Sequence, residues 1–496
     1  MPQLRLVPYG PAATAALRDA IAAAKGADPL APVTVAVPSN YAGLSLRRAL
    51  GRDGLVNARF LVLPRVAELL GAPALAAQGR RPLTGPVRAE SIRAALAEGA
   101  EVFRDVAAHA ATERALEQTF RELRQSSPDA LDAVATRSPR ASEVVRQYRD
   151  ARRRTEAYYA VEDLAEAAAA AVRASAPALR DVGHVVLHLP RRLSPAQRGL
   201  VEALAAAGRC TAVLGLTGDA QGDAPARSLA ATLERALGPA EEQPPGEPPA
   251  ATQIVAVTDA EEEVRTALRS ISERLRAGTP LHRMAVLYPA AQPYALLADE
   301  QFRAAGVPHN GPAVRTLAQT LAGRTLLGLL RLHEADFRRE AVLDWLSAAP
   351  VLERDGGHVA PAHRWDVLSR GAGVVRGAAQ WRDRLGRHAR LLGERLAALA
   401  RKDERPAWES ARLEADLRHT ERLAAFTDEL AQRAAPGGLA SWAEFAAWAR
   451  ELLERYLGGE GRQAAWPPEE TEAYRSVDGA LEALANLDDV RPRTDE

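Results

Sequence analysis

Lysine is almost absent from this sequence: only Lys25 and Lys402 occur, and arginine supplies the rest of the positive charge. Chemistry that relies on a lysine amine, as a phosphate loop or a magnesium nuclease does, has only these two positions to draw on. Cys210 stands alone, which excludes an internal disulfide framework, a four-cysteine zinc site and a four-cysteine iron–sulfur cluster. Aromatic residues make up 5% of the chain, and the formal net charge is zero. Whole-chain electrostatics therefore argue neither for nor against nucleic acid, and any such surface must be a local patch. No apolar run approaches the ~20 residues of a membrane span. The nearest, Leu326 to Leu332, is interrupted by Gly328 and Arg331. The opening MPQLRLVPYG lacks the charged-then-apolar order of a leader. A cytoplasmic protein with no membrane partner is the expectation.

What is present is an Ala- and Leu-rich chain of 496 residues, enough for two to four domains. Short apolar runs recur among longer helical stretches: Leu4–Val7, Val33–Val37, Phe60–Leu63, Val185–Leu189, Ala212–Leu216, Ile254–Val257 and Met284–Tyr288. Runs of this length, bounded by Gly, Pro or charge, read as buried parallel strands, and their alternation with helices reads as α/β. Two regions break the alternation and read as nearly all helix, from about Val87 to Arg173 and from about Leu326 onward. Between Gly218 and Ala251 a Gly-, Pro- and Glu-rich stretch reads as an exposed linker.

Leu4 to Leu17, LRLVPYGPAATAAL, reads as a strand, a small-residue loop and a helix. A phosphate loop there needs glycines for close backbone approach, a lysine for the outer phosphates and a hydroxyl for magnesium. Thr14 can fill the hydroxyl position, but Ala13 then stands where the lysine belongs, and shifting the register places Ala16 there. An ordinary strand–loop–helix that holds no nucleotide is the plainer account. In VTVAVPSNYAGLSLRRAL, a strand ends at Pro38-Ser39-Asn40 before a helix. Small hydroxyl and amide side chains at that place either cap the helix or meet phosphate.

Residues 259–350 follow an order of acidic-start helix, AVLY strand, helix, Ala-Gly-Val-Pro turn and Arg-rich helices. This resembles the second motor domain of UvrD-type superfamily 1 helicases, and most of all the AddB-like subunit of bacterial AddAB helicase–nucleases. The resemblance extends over most of the chain and implies two RecA-like parallel-sheet domains with large helical insertions, the second incomplete. The implied boundaries are 1–86 with 174–218 for the first domain, 87–173 for its insertion, 219–251 for a flexible linker, 252–332 for the partial second domain and 333–496 for a helical insertion. It also implies roles for particular positions. Ser39 and Asn40 would touch a DNA backbone, with Arg65, Arg191 and Arg192 as further DNA-binding candidates. The strand Val185–Leu189 would end in magnesium-binding acids, yet His188-Leu189-Pro190-Arg191-Arg192 stands there. Gly218-Asp219-Ala220-Gln221 is similar to the motif that couples nucleotide to DNA, although a plain turn explains it as well. An arginine would follow Tyr288 to reach a terminal phosphate, and Pro289 has no guanidinium. The ATP-site positions Ala13, Thr14, His188 and Pro289 are thus degenerate, and the implied protein is a scaffold without ATPase activity. It would hold DNA ends beside an AddA-like motor partner, in double-strand-break repair and recombination. ATP and magnesium would be needed only by that partner or by a nuclease domain of the PD-(D/E)XK class, whose motif these residues do not supply. A fragment or truncated subunit is the corresponding expectation.

Other constellations have plainer readings. His184 and His188 share a strand face but lack a third metal ligand. Glu261-Glu262-Glu263 reads as a helix start. Arg152-Arg153-Arg154 and Arg191-Arg192 are local basic patches, each either a solvated face or a phosphate contact. The seven tryptophans from Trp345 to Trp466 read as core anchors rather than base-stacking platforms. Two rival functions stay open: an active ATP-dependent helicase or exonuclease subunit, and a helical protein–protein scaffold that ignores DNA.

Overall fold

The computed structural model describes residues 3–51, 54–99, 101–244, 246, 253–311, 314–353, 357–401, 406–435 and 437–490. Lys402, Asp355-Gly356, Pro436, Arg491-Pro492-Arg493 and most of the Pro-rich stretch after Pro244 lie outside them. The chain divides into two compact units, Met1–Gln253 and Ile254–Glu496.

In chain order the first unit contains β1 (Leu4–Pro8), α1 (Pro11–Lys25), β2 (Val33–Val37), α2 (Asn40–Gly51), β3 (Ala58–Val62) and α3 (Leu63–Ala77). There follow β4 (Arg81–Pro82), α4 (Gly85–Gly99), α5 (Ala110–Leu123), α6 (Pro128–Ala135), α7 (Pro139–Arg154) and β5 (Tyr158–Tyr159). The unit ends with α8 (Val161–Arg173), α9 (Ala178–Val182), β6 (His184–His188), α10 (Pro195–Ala206), β7 (Cys210–Leu216), α11 (Ala220–Leu237) and β8 (Glu241–Glu242). Six strands form one parallel sheet in the order β3-β2-β6-β7-β1-β8.

This order follows from the hand of the crossovers. The steps from β1 to β2 to β3 run one way along the sheet, and those from β3 to β6, β7 and β8 run the other. Right-handed connections therefore send their helices to opposite faces. Accordingly α1 and α2 cover one face, where Leu17, Ile21, Val33, Val35, Val37 and Val186 pack together. Helices α3, α8, α10 and α11 cover the other, around Leu4, Leu6, Val185, Leu187, Ala212 and Leu214. Alternate residues of each strand feed the two layers, so the central strands read as continuous apolar runs. At the edge, β8 is only two residues of charge, tied by Glu241 to Arg5 and by Glu242 to Arg227.

Two expected boundaries move. The helical insertion has its own core of Ile92, Leu96, Leu116, Phe120, Leu131, Val145 and Tyr148, and the short β4–β5 pair closes its base. The expected 87–173 segment runs too far, because α8 packs on α3 in the sheet's own layer. The expected linker at 219–251 begins instead with α11, which buries Leu229, Leu233 and Leu237 against the sheet. A Gly- and Pro-containing start concealed the i, i+4, i+8 spacing of those three leucines.

The second unit is helical: α12 (Ala260–Arg276), α13 (Tyr294–Ala304), α14 (Leu321–Glu334), α15 (Arg339–Ala348), α16 (Ala362–Gly371) and α17 (Ala378–Ala400), then α18 (Ala407–Arg433), α19 (Trp442–Leu457), α20 (Glu460–Gln463) and α21 (Pro468–Leu484). The runs expected as strands at 254–257 and 284–288 carry no regular secondary structure, and Ile254 and Leu287 are each 93% exposed. Among the described residues of this unit the only ladder contact is the bridge Leu352–Val359. Among the described residues of 252–332 no strand ladder is present, so one large parallel sheet, that of the first unit, is what the structure shows. Two short strands without flanking partners bury too little to hold a ladder. Trp345, Trp365 and Trp381 are core anchors as expected, and Trp345 and Trp381 donate their indole N–H groups to the carbonyls of Thr325 and Phe337. Trp408 departs from the pattern at 68% exposed. Among the described residues no helix is long and apolar enough to cross a membrane.

Candidate nucleic-acid interface

Ligands of open α/β sheets gather at the carboxyl ends of the strands, where the strand order reverses. In this sheet the reversal lies between β7 and β1, and the ends of β3, β2, β6, β7 and β1 follow one another along that edge.

At the β1 end the connection to α1 is only Tyr9 and Gly10. Gly10 turns the chain at φ 89°, a left-handed value that glycine tolerates. Pro11 then opens the helix and removes one of its free N–H groups. Ala13 is buried against Val7, Ala16 and Val213, and the Thr14 hydroxyl donates to the Gly10 carbonyl at 3.2 Å. A two-residue turn cannot wrap a phosphate, and the ring of Tyr9 lies over Gly215 of β7.

At the β6 end His188 is buried on the α1 side of the sheet, its Nδ1 without a hydrogen-bond partner. Burial pushes its pKa down to about 4, so the imidazole is neutral near pH 7. Leu189 follows at φ 55°, a strained value for a leucine, and releases Pro190, Arg191 and Arg192 from the sheet. Both arginines are exposed, and neither makes an ion pair among the described residues. Ser194 and Gln197 then form a capping box for α10. At the β7 end the motif Gly218-Asp219-Ala220-Gln221 starts α11. Asp219 accepts from Gly222 N at 2.5 Å, and buried Asp223 accepts from Thr217 N, Thr217 Oγ1 and Gly218 N. Burial raises the Asp223 carboxyl, but those hydrogen bonds outweigh it and leave the pKa below its ordinary value.

The β2 and β3 ends carry the remaining candidates. Ser39 caps α2, its hydroxyl accepting from Ala42 N at 3.2 Å, while Asn40 is exposed. Arg65 in the first turn of α3 is paired with Glu68. Thus Ser39, Asn40, Arg65, Arg191 and Arg192 come to the carboxyl ends of three adjacent strands, β3, β2 and β6. Two further arginines that the sequence reading did not single out, Arg47 and Arg48, are exposed about two turns along α2 and make no ion pair among the described residues. Their signal was available: neither α2 nor residues 189–198 contain an acidic side chain.

The other candidates separate from this edge. Arg153 pairs with Asp150, and Arg154 with Glu98 and Asp150, which makes that run mostly a salt-bridged face. Glu261 and Glu262 pair with Arg265 and Arg269 along α12, behind the Asp259 cap. His184 bonds Thr211 Oγ1 at 2.8 Å, and among the described residues no three His, Cys, Asp or Glu side chains could hold a metal together. Cys210 is buried, its thiol pushed up to about 12. In the second unit Pro289 lies on an exposed bend after Tyr288, which stacks on Tyr294 at 6.1 Å. Among the described residues the β1 and β6 ends hold no amine, acid pair or phosphate loop, and the two acids at the β7 end, Asp219 and Asp223, are taken up by the backbone at the start of α11. No protein-family model matches the chain, and no curated protein matches it.

Proposed function

We propose that this chain is a non-hydrolysing DNA-binding scaffold, similar to the AddB-like subunit of a helicase–nuclease. It would guide a separated DNA strand beside an AddA-like motor partner during double-strand-break repair and recombination. In this reading the first unit is a RecA-like domain whose nucleotide machinery has been replaced. ATP and magnesium would be handled by the partner, and cleavage by a PD-(D/E)XK nuclease domain.

One observation carries the reading. The carboxyl edge of the sheet holds Arg191 and Arg192, exposed and without an ion-pair partner among the described residues, at the end of the strand next to the polar pair Ser39 and Asn40. The same edge offers a two-residue turn at β1 and a neutral buried imidazole at β6, where hydrolysis would need a phosphate loop and carboxylates. Phosphate contacts from such arginines grip a backbone without reading sequence.

Two titrations of the whole chain test this. Binding of a labelled single-stranded oligonucleotide should weaken steeply with salt, with no binding of a fluorescent ATP analogue at micromolar concentration. Micromolar nucleotide binding would return the chain to the active motors. Failure to bind DNA at low salt would leave a helical protein scaffold.

A further inference from the structure

The two outer strands of the six-stranded sheet differ. On one side β8 is two residues of charge, held by ion pairs to Arg5 and Arg227. On the other, β3 is five residues long, and among the described residues no strand pairs with its far side. Which of its backbone groups are free follows from the ladder. Val33 stands opposite Ala58 in the parallel register, and its N–H donates to the Asn57 carbonyl. Asn57, Arg59 and Leu61 therefore turn their backbone groups to β2, and Ala58, Phe60 and Val62 turn theirs outward. None of those three is charged, and β3 has no proline, so the usual guards of an exposed strand are missing. No residue of β3 is buried, whereas every residue of β2 is. Helix α2 lies above this margin. A Cβ on Gly43 would stand 3.2 Å from both Phe60 Cβ and Val37 Cγ2, so α2 runs over the gap between β2 and β3. Leu46 and Leu50 pack into the core beneath it. Leu44 and Tyr41 do not, and are 40% and 75% exposed.

We infer that two copies of this chain join through β3, antiparallel about a twofold axis, into one continuous sheet. Pairing centred on Phe60 satisfies the outward groups. Phe60 then faces Phe60 of the second copy and Ala58 faces its Val62, each pair exchanging both hydrogen bonds. Arg59 stands opposite Leu61 of the second copy, so no like charges oppose one another across the strands. The helices above fit the same axis. Strands lie ~4.8 Å apart, so helices over the two β2–β3 gaps stand two spacings apart, roughly 10 Å, which is a helix-packing distance. Because Gly43 lies over Phe60, the axis passes beside Leu44 and brings the two Leu44 side chains together. With the helices antiparallel, Tyr41 comes beside Arg47 of the second copy, and Asn40 beside its Arg48. Each ring thus meets a guanidinium, and no arginine of α2 meets an arginine. The charge pattern of a helix that has no acid is in this way complementary to its own copy. Such a pair closes on itself, because β3 is used up and β8 is guarded. The inference goes beyond the DNA-scaffold reading and does not rest on it.

The test is sedimentation velocity of the full chain across micromolar concentrations, without nucleic acid. The wild type should pass from monomer to dimer as concentration rises. Val62→Pro removes one outward N–H and sets its ring on the open side of β3. Val62 already has φ −72°, so the fold accepts proline there. Two hydrogen bonds are lost per dimer, and the dissociation constant should rise about tenfold or more. Leu44→Arg places like charges together on the axis and should leave a monomer. Leu44 is exposed, so unchanged thermal unfolding of that variant will show that the fold is intact, whatever Val62→Pro does to stability. In Leu44→Cys a short bis-maleimide should link two chains, since Cys210 is buried and does not compete. A wild type that stays monomeric throughout, a dimer that Leu44→Arg leaves as tight, or no link at position 44 overturns the inference. None of these results touches DNA binding by the monomer, so the two readings fail separately.

Discussion

The far end of the Tyr9 ring lies against Gly215, joining the turn after β1 to the end of β7. A Cβ on Gly215 would stand 2.5 Å from Tyr9 Cε1 and 2.8 Å from Cε2. The Tyr9 N–H also donates to the Leu216 carbonyl at 3.0 Å, which fixes the short turn to its neighbour. A bulky ring thus sits at the switch point of the sheet, where the resemblance to motor proteins would put a loop of bare backbone.

A side chain at Gly215 would have to displace the Tyr9 ring. Gly215→Val should lower stability by about 1–3 kcal/mol, as overpacking does, because the ring cannot stay where it is. Tyr9→Ala combined with Gly215→Val should recover part of the loss. Urea unfolding of the two single variants and the double variant gives the coupling. Additive effects would mean that the ring and the glycine are not in contact.

Much of this edge was legible in the sequence, for a physical reason. Buried parallel strands are short apolar runs with turn residues after them, so Val33–Val37 and Val185–His188 declare themselves, and the residues that follow must lie at a carboxyl end. The arginines after β6 and the Ser-Asn pair after β2 could therefore be named before their proximity was known. The order of the strands, and with it the juxtaposition of β2 and β6, is set by contacts far apart in the chain that no local pattern encodes. The same apolar signal misled at Ile254 and Met284, where the run is present but no strand pairs with it. Helix α11 was missed because Gly218, Gly222 and Pro225 punctuate its start as a loop would.

Arg191 and Ser39 should behave differently when replaced, although both lie at this edge. Arg191→Ala with Arg192→Ala removes two free guanidiniums, and single-strand affinity should fall with a salt slope shallower by about two. Ser39→Ala removes the cap on α2 and should cost about 1 kcal/mol of stability with little change in that slope. Anisotropy across a salt series and thermal unfolding separate the two. A slope unmoved by the double arginine change would take the β6 end out of the interface.

His188 links stability to acid. Its side chain is 3% exposed, its Nδ1 is unpartnered, and burial pushes its pKa down to about 4, whereas an unfolded histidine titrates near ~6.5. Between those values the unfolded chain binds a proton that the folded chain refuses, so stability rises with pH. The contribution is fully present above the unfolded pKa and is lost as pH falls through the folded one, about 3 kcal/mol in all. Carboxylates also titrate toward the lower end of this window, so the readout is the difference between wild type and His188→Leu. Urea midpoints of the variant should fall less steeply from pH 7 to pH 4, and parallel curves would show that the imidazole is hydrated.

Placing a lysine in the first strand–helix turn should not create a nucleotide site. Ala13 is 2% exposed and packs against Val7, Ala16 and Val213 on the sheet side of α1. In Ala13→Lys the long side chain starts from a closed layer, and either overpacks it or leaves an amine in apolar surroundings. A loss of about 2 kcal/mol or more is expected. Nor would an amine there find its ligand, because Tyr9 and Gly10 are too short a turn to bring successive backbone N–H groups around a phosphate, and His188 offers no carboxylate for magnesium. Thermal unfolding of the variant should show the loss, and an ATP titration should show no binding. If Ala13→Lys binds ATP at micromolar concentration without loss of stability, then the turn can open into a phosphate loop. The missing amine, rather than the shape of the β1–α1 connection, would then be what keeps a nucleotide from this turn.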